Sequence, residues 1–458
     1  MAVTPIAKAG SISAAEKSPL ALFGGSKAIA TDEGDTFTWP IVTKEDEAAV
    51  LDVLRRGAMS GSDVTRQFEK EFAAWQGAAF ALAHSTGTAA IEAAMFGCKV
   101  GMGDEIICPS VTYWAACLQV YSLRGTVVFA DVDPDTLCID PKDIEHRITP
   151  RTKAIMVVHY LGHPADMDAI MAIARRRGVK VIEDVSHAQG GLYKGRKVGS
   201  IGDVSGISLM SAKSLVAGEA GMLTTNDREI YERACGWGHY ERFLMPQDLE
   251  TPYLKEKTGL PLGGHKYRMH QMSAAVGRVQ LKHYDARCEE IRKAMNYFWD
   301  LLEGVPGLRA HRPPADSNSN MGGWYAAHGH YRPEELGGLS VTRFTQAVTA
   351  EGFRSRPGVN MPLHLHPLFN SIDVYEEGKP TRIAHSDRDL RQPRGSLPVT
   401  EGIAARTLSV PWFKQYRPEI IEEYALAFRK AAASYRELLK EDPGNPETLG
   451  GWHFFAHR

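Results

Sequence analysis

The sequence is poor in the features that would place it in several large protein classes. It has six cysteines in 458 residues, at 98, 108, 117, 138, 235 and 288, with no CxxC spacing. Neither a disulfide framework nor a zinc site is expected from so scattered a set; they read as reduced core thiols. No apolar run reaches the roughly 20 residues that a bilayer span needs. The longest, such as Ile155 to Leu161, have the length of a strand. Neither sign of charge prevails. The formal net charge is −2, which gives no overall pull toward nucleic acid or an anionic membrane. There is no internal repeat and no long low-complexity tract. A Walker Lys-Ser/Thr and a strong Rossmann fingerprint are both missing, which argues against an NTPase or a dinucleotide enzyme. Met1 to Lys17 carries Lys8 and Lys17 but no apolar stretch. It reads as a disordered tail reaching to about residue 20, not as a signal peptide. A cytoplasmic location fits these absences.

What remains is an ordinary globular composition, 43% hydrophobic and 24% charged, long enough for one large domain and a smaller one. From about Pro40 to Leu281, helical and strand-like segments alternate. Lys44 to Arg55 and Val64 to Gln76 have helical apolar spacing. Glu105 to Cys108, Thr126 to Asp131, Lys153 to Tyr160, Val179 to Glu183 and Val204 to Leu209 read as short buried strands, and Met167 to Arg177 as a helix. That alternation predicts an α/β fold with a mostly parallel central sheet. Such sheets present functional residues at the carboxyl ends of their strands. A long charged helix from Met269 to Leu302 bridges toward a second, α+β unit, with a Pro/Gly/Asn-rich boundary at Gly304 to Ser317. There Trp324 to Tyr331 reads as a strand, and Thr342 to Glu351 and Glu419 to Leu439 as helices. The division expected is a large domain over 21–295, a small C-terminal domain over 296–440, and a C-terminal tail over 441–458.

Four segments carry candidate chemistry. In VIEDVSHAQGG, 181–191, a strand ends at Glu183-Asp184. Alone, Asp184 reads as a turn cap. At a strand's carboxyl end it would instead face a ligand, and could pair with a protonated pyridine nitrogen that makes a ring an electron sink. In SLMSAKSLVAGEAGML, 208–223, Lys213 lies near Leu209, Met210 and Leu215 and before a glycine turn. A lone lysine is usually solvent-facing; partial desolvation would lower its pKa and favour the neutral amine that attacks a carbonyl. Ser208 is placed to hydrogen-bond a phosphate. In AHSTGTAAIEAAM, 83–95, Ser85 or Thr86 caps a helix whose start, with Gly87, offers free N–H groups to an anion. In IICPSVTYWAAC, 106–117, Tyr113 and Trp114 are either core or a stacking surface for a flat ring.

In this order and spacing the segments resemble the DegT/StrS-type aminotransferases, fold-type I enzymes of sugar, cyclitol and antibiotic biosynthesis. The likeness runs from about Leu22 to Tyr435. It includes WP at 39–40, SG at 60–61, FEKEFAAWQGA at 68–78, STGTAA, PSVTYW, VVHYLGHPADMD around Gly162 and Asp166, EDVSHAQGG and SLMSAKS. The resemblance implies pyridoxal 5′-phosphate as cofactor, held by Lys213 as a Schiff base. It implies Asp184 on the pyridinium, Tyr113 stacked on the ring, His187 beside it, and Gly87, Thr88 and Ser208 on the phosphate. It further implies a ping-pong transamination from a small-molecule amino donor, glutamate or glutamine, to a keto-sugar or cyclitol. A homodimer with shared sites is implied too, with 236–242 and His265 to Arg268 as the segments expected to cross over. The chain departs from the family at GHKYRM, 264–269, where Lys266 replaces an Asn that commonly reaches the partner's phosphate. It departs again at Ser214, where Asn is frequent. The family's dehydratase branch carries His in place of the Schiff-base lysine, so Lys213 favours transamination. A dehydratase, an aminohydroxybenzoate-type synthase and a non-catalytic sensor are the alternatives. His364 and His366 lie where family members vary around the acceptor, and too few ligands surround them for a metal site.

Overall fold

A computed structural model describes Glu16, residues 18–242 and residues 245–452. Most of the expected N-terminal tail, and the last six residues of the C-terminal one, lie outside the described residues. The part of the first that is described is packed: Leu20 is buried in the second of the two main apolar cores.

The central sheet takes β1 (Phe80–His84), β2 (Glu105–Pro109), β3 (Thr126–Ala130), β4 (Thr152–Val158) and β5 (Lys180–Asp184). A small hairpin of β6 (Leu192–Tyr193) and β7 (Arg196–Lys197) stands apart, and β8 (Val204–Ser208) and β9 (Gly221–Thr225) complete the sheet. The seven strands are ordered β1-β9-β8-β5-β4-β2-β3. Six run the same way; β9 alone is antiparallel to both its neighbours. β2, β3 and β9 are buried at every position, as expected of strands covered on both faces. The parallel strands put their carboxyl ends along one edge: His84, Pro109, Val158, Asp184 and Ser208.

Helices open and close on local signals. Lys44–Arg55 starts at Thr43, whose N–H and hydroxyl both donate to Asp46 in a capping box. Asp63–Gln76 stops at Gly77, left-handed at φ 75°. The long helix Gln271–Leu301 packs Ala274, Leu281 and Tyr284 into the core around the central sheet. Its later turns pack Ile291, Met295 and Phe298 into a second core, which surrounds a small antiparallel sheet of β10 (Leu308–Ala310), β11 (His328–Tyr331) and β12 (Thr407–Ser409).

Three expectations change. The strand read over Trp324 to Tyr331 begins only at His328, because Trp324 and Ala326 are left-handed at φ 55° and 56°. The helix read over Glu419 to Leu439 breaks at Ser434, between Pro418–Ala433 and Tyr435–Leu439. Packing also crosses the boundary expected at 295/296. Val359, Leu363, Phe369, Leu390, Leu397 and Ile403 belong to the first core, not the second. Among the described residues, no helix is long and apolar enough to cross a membrane.

Candidate active site

Lys213 lies five residues past β8, in a loop clamped from three sides. Its N–H donates to the Met210 carbonyl at 2.8 Å, and its carbonyl accepts from Trp39 Nε1 at 2.9 Å. Gln189, fully buried, does the rest. Its Nε2 donates to the Ser208 and Leu215 carbonyls, and its Oε1 accepts from the Leu215 N–H and the Ser214 hydroxyl. Tyr284 on the long helix donates to the Gln189 carbonyl at 2.9 Å. Ser214 is therefore part of this clamp.

Lys213 is 8% exposed. Its Nζ sits 3.9 Å from the centre of the Tyr325 ring. Burial pulls its pKa down to about 8, against the opposing charge of Asp184. About a tenth of the amine is thus neutral and nucleophilic at pH 7, far more than for an ordinary lysine. Tyr325 also lies 4.8 Å, ring to ring, from His187. Burial holds His187 well below the ordinary histidine pKa, and the Lys213 charge adds to this. His187 Nδ1 accepts the Leu161 N–H at 3.3 Å. Neutral imidazole is the form that fits beside a lysine.

Asp184 ends β5 and is buried. One of its oxygens accepts from the Ser186 N–H at 3.0 Å; no other hydrogen bond to the carboxylate is recorded among the described residues. Ser186 in turn accepts the Ser208 N–H at 2.9 Å. Across the edge, the helix Gly87–Gly97 is capped by Thr86, whose hydroxyl accepts from the Ala89 N–H. Among the described residues, the N–H groups of Gly87 and Thr88 donate to nothing. Two such donors at a helix start are the arrangement that suits an anion. Glycine is required there: a Cβ on Gly87 would stand 2.7 Å from Ser208 Cα. Gly221, between His84 and Ser208 in register, would likewise put a Cβ 2.2 Å from the Thr86 carbonyl oxygen. The backbone approach of Ser208 to the helix start depends on both glycines.

Tyr113 follows β2 and is half-buried, with its ring 4.9 Å from Trp114; burial raises its hydroxyl pKa. The carboxyl edge thus gathers Lys213, Asp184, His187, Ser208, Tyr113, Gly87 and Thr88. Lys266 is not gathered with them. It is exposed in a segment that runs beside the end of β1, where Ser85 N–H donates to the Tyr267 carbonyl at 2.7 Å. In the neighbouring crossing candidate, Gly236 to His239 are buried within this same chain.

His364 does not face the site. It is fully buried, with its ring nitrogens at 2.8 Å from the Ser110 hydroxyl and 3.1 Å from Glu401. His366 caps the short helix Pro367–Asn370 and packs on Trp452. Among the described residues, no group of three or more His, Cys, Asp or Glu could hold a metal. The clamp residue Gln189 and the ring of Tyr325 escape the sequence reading. Gln189 lies in the quoted EDVSHAQGG run and was the more findable of the two.

A cofactor with an aldehyde, an aromatic nitrogen and a phosphate fits this donor set. A desolvated amine, an under-used carboxylate, a flanking aromatic and an anion-ready helix start each match one part of it. The comparisons agree. Residues 40–428 match the DegT/DnrJ/EryC1/StrS aminotransferase family. The L-glutamine:2-deoxy-scyllo-inosose aminotransferase of Streptoalloteichus tenebrarius is 33% identical over 81% of this chain and 88% of that one. The spore coat polysaccharide biosynthesis protein SpsC of Bacillus subtilis is 32% identical over 78% of this chain and 91% of that one. An aminotransferase structure from Psychrobacter cryohalolentis superposes with a TM-score of 0.73 at 28% identity, covering 86% of this chain and 97% of that one.

Proposed function

We propose that this chain, which belongs to the DegT/DnrJ/EryC1/StrS aminotransferase family and is a pyridoxal-phosphate-dependent aminotransferase, moves an amino group from glutamine or glutamate to a ketone on a sugar, nucleotide-sugar or cyclitol. The observation that carries the reading is the buried Lys213 amine, held beside Asp184 and His187 at the sheet edge that also carries the Gly87 helix start.

The bound cofactor supplies an electron sink for the carbanion formed at the donor's α-carbon. The chain's own residues do the rest. Lys213 Nζ would hold the cofactor and, as a free amine, would carry the proton to and from that α-carbon. Its lowered pKa lets it take a proton and give it back near neutrality. Asp184 holds a proton on the ring nitrogen as a charge-assisted pair. The Gly87 and Thr88 N–H groups and the Ser208 hydroxyl would hold the phosphate, and Tyr113 and His187 would flank the ring. With donor and acceptor served in turn by the same lysine, the kinetics would be ping-pong.

Lys266 supports a shared site in a homodimer. It is exposed and meets none of its own chain's cofactor residues, so in this reading it reaches outward to the partner's phosphate. As a point charge it would bind without the directionality of an amide. A cytoplasmic location completes the reading.

The test is spectroscopic. Protein loaded with pyridoxal phosphate should lose its yellow absorbance on adding glutamine or glutamate, and regain it on adding a keto-sugar or keto-cyclitol. No bleaching with either donor overturns the donor assignment; bleaching without recovery on any such ketone overturns the acceptor class.

A further inference from the structure

Of the residues assigned above, Lys213 would act at the acceptor's reacting carbon, and none would read its hydroxyls. Tyr160 and Asn360 supply a contact that would. Tyr160 stands in the turn just past the carboxyl end of β4, buried, with its ring 5.7 Å from that of His187. Its hydroxyl meets Asn360 twice. It accepts the Asn360 backbone N–H at 3.2 Å and lies 2.5 Å from the side-chain Oδ1. The side-chain atom that faces Tyr160 is the amide oxygen, which accepts the single hydroxyl proton. The Nδ2 group therefore points the other way. Among the described residues it donates to nothing, and Asn360 is half-buried.

We propose that Asn360 Nδ2 is a specificity-determining donor that reads a hydroxyl or ring oxygen of the polyhydroxylated ketone acceptor. The inference rests on the acceptor class proposed above. A neutral amide suits a polyol, whose oxygens are many and uncharged.

The main chain of Asn360 is held from its far side by the C-terminal segment. Residues 357–360 extend the small sheet past β12, with Gly358 N–H donating to the Thr407 carbonyl at 2.8 Å. Gly451 then pairs in parallel with Asn360, and its carbonyl accepts the Met361 N–H at 3.1 Å. Trp452 Nε1 donates to the Pro362 carbonyl at 3.2 Å, and its ring meets His366 at 4.5 Å. The contact is close enough to need glycine at 450, φ 83°, where a Cβ would lie 2.0 Å from the Val359 carbonyl oxygen. This segment lies beyond residue 428, where the family match ends. The segment thus positions Asn360 through Gly451, with Trp452 fastening the neighbouring Pro362.

The experiment uses the full chain loaded with pyridoxal phosphate, with 2-deoxy-scyllo-inosose and GDP-4-keto-6-deoxy-D-mannose as acceptor probes. The glutamine step is followed separately by absorbance in a single turnover. Asn360→Ala should lower kcat/KM for an accepted ketone about 3- to 10-fold, the worth of one neutral hydrogen bond, with the glutamine step at the wild-type rate. Asn360→Asp, which keeps the shape and removes the donors, should do the same and guards against a folding defect of the first variant. Truncation after Thr448 should reproduce the split in weaker form. Equal loss in both steps, or no loss on a ketone that the wild type converts, overturns the inference. A wild type that completes the glutamine step but converts neither ketone overturns the acceptor class instead.

Discussion

Glu183 and Asp184 are adjacent carboxylates on one strand, and alternation sends them to opposite faces of the sheet. Glu183 is fully buried and saturated. It accepts from the N–H groups of Gly199, Ile201 and Gly202, and from His159 Nε2 at 2.9 Å. His159 Nδ1 accepts the Ala165 N–H, which fixes the tautomer. Burial alone would raise the Glu183 pKa; the His159 hydrogen bond and the backbone donors outweigh it and hold the carboxyl low. Among the described residues the Asp184 carboxylate accepts one hydrogen bond, from the Ser186 N–H, and its charge falls on Lys213. A saturated carboxylate fastens a structure, whereas an unsaturated one is ready for a ligand.

This contrast can be broken or sharpened in order of effect. Lys213→Ala should abolish the yellow absorbance and cut turnover by about 10³- to 10⁴-fold or more, the scale of losing a proton carrier. Its thermal midpoint should hold, since a desolvated amine is removed. Asp184→Asn should cut turnover by about 10²- to 10³-fold, the scale of one preorganised electrostatic partner, again with an unchanged melting midpoint. Glu183→Ala should do the reverse. It leaves three N–H groups and an imidazole unpaired in the core, and should cost about 3–5 kcal/mol in denaturant unfolding, while the folded fraction keeps its turnover. If Asp184→Asn unfolds the protein as Glu183→Ala does, the two carboxylates are not distinct in role.

The smallest effect is on pH. Burial lowers the Lys213 pKa to about 8, so its neutral, reactive fraction grows as pH rises through that value. Capture of pyridoxal phosphate by cofactor-free protein should therefore accelerate through pH 8 and then level off, where an ordinary lysine would still be accelerating. Asp184 favours the ammonium form, so Asp184→Asn should move that midpoint lower; a shift upward would contradict the geometry.

Much of this was legible because amphipathic helices announce themselves. Lys44–Arg55 and Met167–Arg177 match their sequence reading to the residue. That Asp184 and Ser208 end neighbouring parallel strands was also legible, because short apolar runs that stop at polar residues mark strand ends. β9 was not legible: GMLTT has no period that tells a reversed strand from a parallel one. Tyr325 was hidden by backbone geometry. It lies between two left-handed non-glycine residues, Trp324 and Ala326, each costing about 1–3 kcal/mol of strain, and apolar composition suggested a continuous strand instead. Gln189 was passed over because a buried amide's role depends on carbonyls that come from Ser208 and Leu215, far away in sequence.

The helix Gln271–Leu301 carries a consequence for folding. One unbroken rod supplies Tyr284 to the first core and Phe298 to the second, and Tyr284 also anchors Gln189 under the lysine loop. Neither core can melt without exposing apolar side chains on a helix the other still needs. The chain should therefore lose both cores in a single cooperative transition, and a lesion in the small sheet should register as looser geometry around Lys213 long before any separate unfolding step is seen.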